Sequence, residues 1–376
     1  MSNMKPFADV VIIGAGVIGC SIAYHLAKMG ITNVAVVEMD QVGAGTSSKS
    51  ASMLSMQFGR DPILARMAQY SYKRYMGFEQ ELGATIDFRK TGWISVASGP
   101  EAEELRQHAN NLQALGIRTE ILSADEVKRL YPELNTSDIE LGTWGPDDGP
   151  FDPHMIMWGY VKRATEKGVQ LHQGEKALDL RIENGRVTGI ETTNGLIATG
   201  TVVNAAGPWA GEVGNWAGIH IPLTNEVRTI IMTGPLPDIP PERPFVEDEN
   251  VEWYFRPETG GVLMGMGNVP TTSPETQLDT DMVDRIVEYA VHRAPVLEKA
   301  TLLTAWSGVR PLTEDGHPIF GIVPGLEGFL LNTGWGGFGI IQSPAAGQLM
   351  AELIHDGHTS TFESEEFGLE RFTQSK

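Results

Sequence analysis

The strongest constraint on the fold lies near the start of the chain. The apolar run DVVIIG (9–14) is typical of a buried strand, the segment 17–30 has helical periodicity, and NVAVVE (33–38) is a second apolar strand. A G-x-G-x-x-G motif joins the first strand to the helix, and an acid ends the second strand about 20 residues later. The sequence therefore predicts a βαβ unit that binds a dinucleotide through Gly14, Gly16, Val17, Ile18, Gly19 and Glu38.

Each part of this motif has a physical role. Glycine permits a tight turn and a close approach of the cofactor pyrophosphate to the helix N-terminus, whose free amides attract anions. Glu38 is expected to accept hydrogen bonds from the adenosine ribose hydroxyls, which disfavours the phosphorylated ribose of NADP. The motif alone does not separate FAD from NAD.

Two further segments have the composition of loops around an extended cofactor. GAGTSSKSASMLS (43–55) is rich in small and hydroxyl side chains, and VVNAAGPWA (202–210) is typical of a strand that enters a tight turn. We expect cofactor contacts in the first segment from Thr46, Ser47, Ser48, Lys49, Ala51 and Ser52. In the second we expect them from Ala205, Ala206, Gly207 and Trp209.

A glycine-rich stretch, NTGWGGFGIIQSPAAGQ (332–348), precedes the last predicted helix, for which Ser343 is the expected N-cap and Pro344 the first residue. A helix N-terminus carries about half a positive charge. Placed at the N1–C2=O2 edge of a flavin, it would stabilise the anionic reduced form, which favours FAD over NAD. The expected contacts are Gly334, Gly336, Gly337, Phe338, Gly339 and Ile340.

The composition excludes several classes of function. The net charge of −20 argues against nucleic acid and against an anionic membrane surface, because little here would neutralise phosphates. The single cysteine, Cys20, excludes an intrachain disulfide framework and fits a reducing compartment. The N-terminal apolar run is too short for a membrane span or a signal segment. We therefore expect a cytoplasmic protein with no membrane span.

The motifs above, together with WSGVRPLTEDGHPIFG (306–321), resemble the D-amino acid oxidase superfamily of FAD-dependent oxidoreductases. The likeness is to its glycine oxidase and sarcosine oxidase branch, which includes beta subunits of multimeric sarcosine and proline dehydrogenases. The resemblance implies an α/β fold with a Rossmann-type, glutathione-reductase-2-like FAD-binding domain. It also implies a second, α+β substrate domain built on a mostly antiparallel sheet. The expected FAD-binding domain comprises residues 1–85, 145–220 and 318–376, and the substrate domain residues 86–144 and 221–317.

The resemblance also nominates substrate-binding residues. Arg310 matches the family's W-x-G-x-R-P pattern, in which the arginine holds the substrate carboxylate; the alternative is a surface ion pair with Glu314 or Asp315. Tyr254 matches a tyrosine placed over the substrate, or is an ordinary strand tyrosine. Met53 matches a flavin-lining position, or is a core residue.

Some positions depart from the family pattern. Phe338 stands where many members have a histidine, and the region 312–317 lacks the cysteine that attaches FAD in monomeric sarcosine oxidases. Pro153 takes the place of a histidine that holds covalent FMN in multimeric relatives, with His154 beside it. These departures predict non-covalent FAD and no covalent FMN. His154 and His317 are interpreted as structural or solvated, and no spacing indicates a metal site.

The predicted reaction is oxidation of the C–N bond of an amino acid or N-substituted amino acid (glycine, sarcosine or proline-like), by hydride transfer to flavin N5 and hydrolysis of the imine. The electrons then pass to O2 or another carrier. No residue stands out as a general base. The alternatives are a 2-hydroxy acid or polyol-phosphate dehydrogenase, an FAD-carrying beta subunit active only with a partner, and, more distantly, an NAD-dependent reductase. The chain is expected to act as a homo-oligomer or with a partner subunit.

Overall fold

The computed structural model describes residues 7–57 and 61–372. The strands are β1 (Val10–Ile13), β2 (Val34–Glu38), β3 (Met53–Leu54), β4 (Trp93–Ala97), β5 (Glu120–Leu122), β6 (Leu141–Gly145), β7 (Gly149–Pro150), β8 (Gln170–Gln173), β9 (Ala177–Glu183), β10 (Arg186–Thr192), β11 (Gly195–Ala198), β12 (Val202–Asn204), β13 (Thr224–Thr233), β14 (Phe245–Asp248), β15 (Trp253–Glu258), β16 (Gly261–Thr271), β17 (Leu302–Leu312), β18 (Ile319–Ile322) and β19 (Phe329–Thr333). The helices are α1 (Val17–Lys28), α2 (Pro62–Met76), α3 (Phe78–Leu82), α4 (Pro100–Ala114), α5 (Ala124–Leu130), α6 (Pro153–Glu166), α7 (Ala210–Trp216), α8 (Thr280–Arg293) and α9 (Gly339–Asp356).

A six-stranded sheet, with the order β18-β19-β12-β1-β2-β8, forms the first layer of the structure. Its strands are parallel except β18, which pairs antiparallel with β19. The strand order reverses direction at β1, which lies between β12 and β2. In parallel sheets, ligands bind outside the carboxyl ends of the strands at such a point.

An eight-stranded sheet, with the order β17-β13-β16-β15-β14-β4-β6-β5, forms the second large layer. All its strand pairs are antiparallel except β4 with β14. Helices α5 and α8 contribute to the apolar core on one face of this sheet. The other face is therefore available to line a site. A mixed α/β chain with a mostly antiparallel second sheet was predicted from the sequence and is confirmed.

The local predictions for the first unit are confirmed. β1, α1 and β2 lie where the sequence places a strand, a helix and a strand. Helix α5 begins with a capping box between Ser123 and Glu126, and the hairpin of β15 and β16 turns at Glu258–Gly261.

The predicted start of the last helix is wrong. Helix α9 begins at Gly339, so Pro344 lies inside the helix and Ser343 does not cap it. Proline lacks the amide that would donate to the carbonyl of Ile340, four residues earlier. The Tyr75 hydroxyl, from α2, donates to that carbonyl instead, at 2.5 Å. A side chain distant in sequence thus replaces the missing hydrogen bond and lets the helix continue through the proline.

Candidate cofactor and substrate cavity

A cavity of about 830 Å³ runs from the carboxyl ends of β1, β2 and β12 to one face of the eight-stranded sheet. Ligand pockets in proteins are typically about 300–1,000 Å³. Two walls with different chemistry enclose this cavity. We call the side formed by the β1–α1 turn, residues 44–53, residues 205–209 and the start of α9 the cofactor wall. The face of the eight-stranded sheet opposite it is the substrate wall.

The β1–α1 turn is held by very close backbone packing. A Cβ atom at Gly19 would lie 1.9 Å from the carbonyl oxygen of Gly14, so α1 lies directly against the turn. The Ser47 hydroxyl accepts a hydrogen bond from the Val17 amide at 3.1 Å, which ties the loop after β2 to the first turn of α1. These contacts fix the helix N-terminus at the cavity.

Glu38 lies at the carboxyl end of β2, on the cavity wall. One carboxylate oxygen accepts from the Ala15 amide at 2.8 Å, and the other accepts from the Asp40 amide at 3.0 Å. A carboxylate has about four lone-pair positions, so each oxygen keeps room for one more donor. Glu38 is therefore held rigidly and can still accept from two ribose hydroxyls.

The start of α9 forms the other end of the cofactor wall. Phe338 is the N-cap residue and provides no side-chain acceptor, so within residues 7–57 and 61–372 no side chain caps the first amides of the helix, which lie at the cavity. Gly334 and Gly336 have φ values of 73° and 54°, a left-handed conformation that glycine adopts readily. The Gly336 amide donates to the Pro311 carbonyl at 3.0 Å, which fastens this turn to β17.

The substrate wall follows the two-residue alternation of its strands. The register pairs Glu247 with Tyr254, and Tyr254 with Gly265, so these positions share one face of the sheet. Alternate residues on the neighbouring strands continue this face into the cavity. The side chains and backbone that line it are Trp93, Arg228, Ile230, Phe245, Glu247, Tyr254, Gly308 and Arg310.

Arg310 lies in this wall with its guanidinium group only partly engaged. Its Nη2 donates to Glu226 at 3.2 Å and also to the side-chain oxygen of Asn268. Its Nη1 makes no hydrogen bond within the described residues and lies next to Gly337, where a Cβ atom would come within 3.3 Å of it. Burial lowers the pKa of Arg310, and the nearby Arg228 adds to this effect. An arginine nevertheless stays protonated at neutral pH.

The alternative ion pair of Arg310 with Glu314 or Asp315 is wrong. Asp315 pairs instead with Arg371, at 2.6 Å, and the carboxylate that holds Arg310 is Glu226, directly opposite on β13. The pairing of β13 with β17 thus decides the partner, rather than proximity in sequence.

Tyr254 and Met53 both lie at the cavity and both belong to a small apolar cluster. The ring of Tyr254 stacks on Phe245, with centroids 5.5 Å apart, and the guanidinium carbon of Arg228 lies 5.0 Å from the centroid of the Tyr254 ring. Burial raises the pKa of Tyr254, so its hydroxyl remains a hydrogen-bond donor at neutral pH. Each of these two residues therefore packs in the apolar cluster and also lines the cavity.

These observations fit an FAD that extends from Glu38, past the N-termini of α1 and α9, to the face that carries Arg310. Residues 9–353 match the family described as DAO, FAD dependent oxidoreductase. The chain belongs to the DAO family.

Three similar proteins illustrate the DAO family relationship. Mouse mitochondrial sarcosine dehydrogenase is 29% identical over 366 residues, which cover 93% of this chain but only 40% of that protein. Sarcosine oxidase subunit beta from Rhodobacter capsulatus is 28% identical, over 98% of this chain and 89% of the relative. The solved L-proline dehydrogenase from P. horikoshii superposes with a TM-score of 0.91 at 26% identity, over 99% of this chain and 100% of that one.

This DAO-family chain thus spans about two-fifths of the mouse relative's length and most of the bacterial one. The family resemblance inferred from the sequence motifs is confirmed, and with it the assignment to FAD-dependent oxidoreductases.

Nearly all of the predicted site residues line the cavity of this DAO-family protein. On the cofactor wall these are Gly14, Gly16, Val17, Ile18, Glu38, Thr46, Ser47, Lys49, Ala51, Ser52, Ala205, Ala206, Gly207, Trp209, Gly334, Gly336, Gly337, Phe338, Gly339 and Ile340, and Met53, Tyr254 and Arg310 complete the set. Gly19 and Ser48 do not line it: Gly19 packs beneath Gly14, and Ser48 is half-buried in the loop after β2. Their contact with the cofactor stays a prediction.

Sequence reasoning missed two charged residues of the substrate wall, Arg228 and Glu247. Arg228 donates to the Glu252 carbonyl at 2.6 Å and to Asn268 at 3.1 Å, so Asn268 bridges the two arginines. Burial raises the pKa of Glu247 to about 8, and Glu249 contributes in the same direction. Their positions in the strands could have identified them. Arg228 lies two residues from Ile230 on β13, and Glu247 lies two residues from Phe245 on β14, so each shares a sheet face with an apolar residue of the cavity.

The remaining candidates lie away from the cavity. His154 is exposed, His317 lies 3.7 Å from Asp61, and Cys20 is fully buried on α1. Within residues 7–57 and 61–372, no group of histidine, cysteine and acidic side chains is arranged to hold a metal ion. None of the helices in these ranges is long and apolar enough to cross a membrane.

Proposed function

We propose that this chain oxidises the C–N bond of an amino acid or N-substituted amino acid, releasing an imine that hydrolyses in water. One observation carries the proposal: a partly buried arginine in the cavity, Arg310, has an Nη1 that is unpaired within the described residues and lies beside the start of α9. A guanidinium group is a rigid, two-pronged donor suited to a carboxylate.

The residues of each wall have separate tasks in this proposal. Glu38 and the first turns of α1 and α9 hold the FAD, which when bound supplies the acceptor for the two electrons of the oxidised bond. Arg310 binds the substrate carboxylate and fixes the orientation of the carbon that is oxidised. Tyr254 donates a hydrogen bond to the same carboxylate, and the aromatic side chains of Trp93 and Phe245 exclude water.

The names of the relatives suggest the substrate class. Those names specify sarcosine and L-proline, which are secondary amines with a carboxylate next to the amine-bearing carbon. We propose the same class for this chain. One relative is named as a beta subunit, and we propose that this chain also works beside a partner subunit.

We further propose that the chain divides into two discontinuous domains with the boundaries given above. The strands of the six-stranded sheet all fall in the segments assigned to FAD, and those of the eight-stranded sheet fall in the substrate segments, apart from Gly145 at the end of β6. The cavity lies between the two sheets. Cytoplasmic localisation stays a prediction of the sequence.

The test is anaerobic addition of sarcosine, proline, glycine, lactate and glycerol 3-phosphate to the FAD-loaded protein, followed by absorbance. Bleaching of the flavin bands by an amino acid is expected. Bleaching by the hydroxy compounds alone would contradict the proposal. The same panel, repeated after co-purification with candidate partners and size-exclusion chromatography, tests the partner subunit.

A further inference from the structure

We propose that Glu247 accepts the proton of the substrate's ammonium group, which makes this residue a catalytic residue of the substrate wall. The inference rests on the proposed function, because it assigns a role at the same site. It supplies the base that the sequence did not reveal.

The position of Glu247 supports this role. It lies on β14 directly across from Tyr254 and on the face that carries Arg228 and Arg310. Its other strand neighbour, on β4, is the uncharged Ser95. The carboxyl group thus lines the same cavity as the Arg310 guanidinium that would hold a substrate carboxylate.

Glu247 also lacks a structural partner. Within the described residues, its carboxyl group makes neither a hydrogen bond nor an ion pair, although the carboxylates nearby do: Glu226 pairs with Arg310, and Glu252 with Arg228. Placing a carboxyl group in a largely apolar cavity costs free energy unless a ligand provides its hydrogen-bond partner. The geometry therefore indicates a partner that arrives with the substrate.

The charges around Glu247 suit a proton acceptor. Burial and the carboxylates of Glu249 and Glu252 raise its pKa, while Arg228 and Arg310 oppose this shift, leaving the pKa at about 8. An ordinary glutamate, with a pKa of about 4.3, is a weak acceptor for an ammonium proton. A carboxylate with a raised pKa is a better match to an amine, and the transfer becomes less unfavourable.

The proposed step balances in atoms and charge. The substrate arrives with its carboxylate and its ammonium group both charged. An N–H bond of the ammonium breaks, an O–H bond forms on Glu247, and the electron pair stays on nitrogen. The neutral amine can then release the hydride of its neighbouring carbon. Protonation also removes the negative charge of Glu247 from the vicinity of the substrate carboxylate.

The experiment compares the wild type with Glu247→Gln and with Glu242→Gln. Glu242 is an exposed acid in the loop before β14, so its variant loses the same charge outside the cavity. The rate of anaerobic flavin reduction is measured by rapid mixing at pH values from 6 to 10, with the substrate that bleaches the wild-type flavin. In the wild type we expect kcat/KM to fall below about pH 8.

Glu247→Gln is expected to lose about 10²-fold in reduction rate at pH 7.5, which is within the range of general-base effects. Its rate should rise about tenfold per pH unit through pH 8, following the substrate's own amine. Glu242→Gln should match the wild type. If Glu247→Gln retains both the rate and the acid limb of the wild type, the inference is overturned while the proposed function stands.

A second measurement does not depend on turnover. Propionate, a carboxylate without an amine, is titrated against the flavin spectrum over the same pH range. In the wild type its Kd should increase above pH 8, because Glu247 then carries a charge, whereas in Glu247→Gln it should stay flat. A flat Kd in the wild type would overturn the inference. A wild-type flavin that no amine reduces would instead contradict the proposed function, and the role of Glu247 with it.

Discussion

The two walls of the cavity recognise their ligands by different means. The cofactor wall uses backbone: helix N-termini, glycines and one acid whose oxygens are fixed by amides. The substrate wall uses side chains that project from strands far apart in the sequence, among them Arg228, Glu247, Tyr254 and Arg310. Backbone recognition depends on close packing, and side-chain recognition depends on the identity of a few residues.

Because of this difference, the two walls should tolerate different substitutions. Behind the cofactor wall, Gly19 leaves no room for even one added carbon against the Gly14 carbonyl oxygen, so we expect this wall to fix the cofactor. The substrate wall can exchange side chains on an unchanged sheet, so we expect it to set the substrate class. Variants of the two walls should therefore differ in which property they lose, FAD binding or substrate oxidation.

The cofactor wall should fail when its packing is broken. Gly19→Val places a side chain where the Gly14 carbonyl oxygen would be 1.9 Å from the Cβ atom, and overpacking of this kind costs about 1–3 kcal/mol or more. We expect FAD to bind at least about 100-fold more weakly, since about 3 kcal/mol is needed for that change. The measurement is the flavin-to-protein absorbance ratio after reconstitution. Gly211→Ala, where an added Cβ atom meets no described residue within 4 Å, should retain its FAD.

The cofactor wall should also weaken first at acid pH. His25 is fully buried on α1, with its Nδ1 2.8 Å from the Ser21 carbonyl oxygen, and burial lowers its pKa to about 4. The unfolded chain takes up this proton below pH 6.5, so the stabilisation is present above that value and is lost as the pH falls towards 4. The loss approaches about 3 kcal/mol.

The measurement for His25 is the free energy of unfolding of the holoprotein between pH 7.5 and pH 4, together with FAD release by fluorescence. His25→Leu should show a smaller decline over this range. His154→Gln changes an exposed histidine and should leave the decline as in the wild type. An equal decline in all three proteins would contradict the assignment to His25.

The substrate wall should lose function without losing the cofactor. Arg310→Lys keeps the charge but not the two-pronged geometry, and a hydrogen bond between charged groups contributes about 1.5–3 kcal/mol. We expect kcat/KM for flavin reduction to fall by about 10–100-fold, with an unchanged FAD content. Arg186→Lys, in the exposed pair with Glu327, serves as the control and should behave as the wild type. Loss of FAD in Arg310→Lys would break the comparison between the walls.

The smallest effect is expected at Tyr254. Tyr254→Phe keeps the ring that stacks on Phe245 and removes only the hydroxyl, which corresponds to about 1 kcal/mol and about a fivefold rise in KM. The control is Tyr131→Phe, because the Tyr131 hydroxyl is buried in the core of the eight-stranded sheet and has no hydrogen-bond partner among the residues that the structure describes. A hydroxyl that does not contact the substrate would give the same KM in both variants.

The cofactor wall was the more predictable of the two, for a physical reason. The strand, turn and helix around Gly14 are contiguous in sequence, and Glu38 follows after one helix, so local periodicity is enough to find them. Arg310 was found through a family motif. Arg228 and Glu247 were missed because only the register of paired strands places them on the cavity face. The sequence of a single segment does not reveal that register.

The error at the start of α9 has a similar origin. Pro344 indicates the first turn of a helix when its surroundings are unknown. The structure places it further along because the Tyr75 hydroxyl satisfies the carbonyl of Ile340, and nothing in the sequence near Pro344 predicts a phenol from α2. A long-range hydrogen bond that replaces a local one cannot be predicted from the neighbouring residues in the sequence.

The hydrogen bond from Tyr75 to Ile340 lies where Pro344 interrupts the ladder of amides in α9. Helix α2 makes hydrogen bonds on both sides of this interruption, because the Ser71 hydroxyl also accepts from the Ala345 amide. The end of α9 at the cofactor wall is therefore positioned by contacts from another helix. The hydroxyl groups of Tyr75 and Ser71 that hold this end do not line the cavity, so we expect substitutions of these two residues to shift the helix N-terminus without changing any cavity-lining residue.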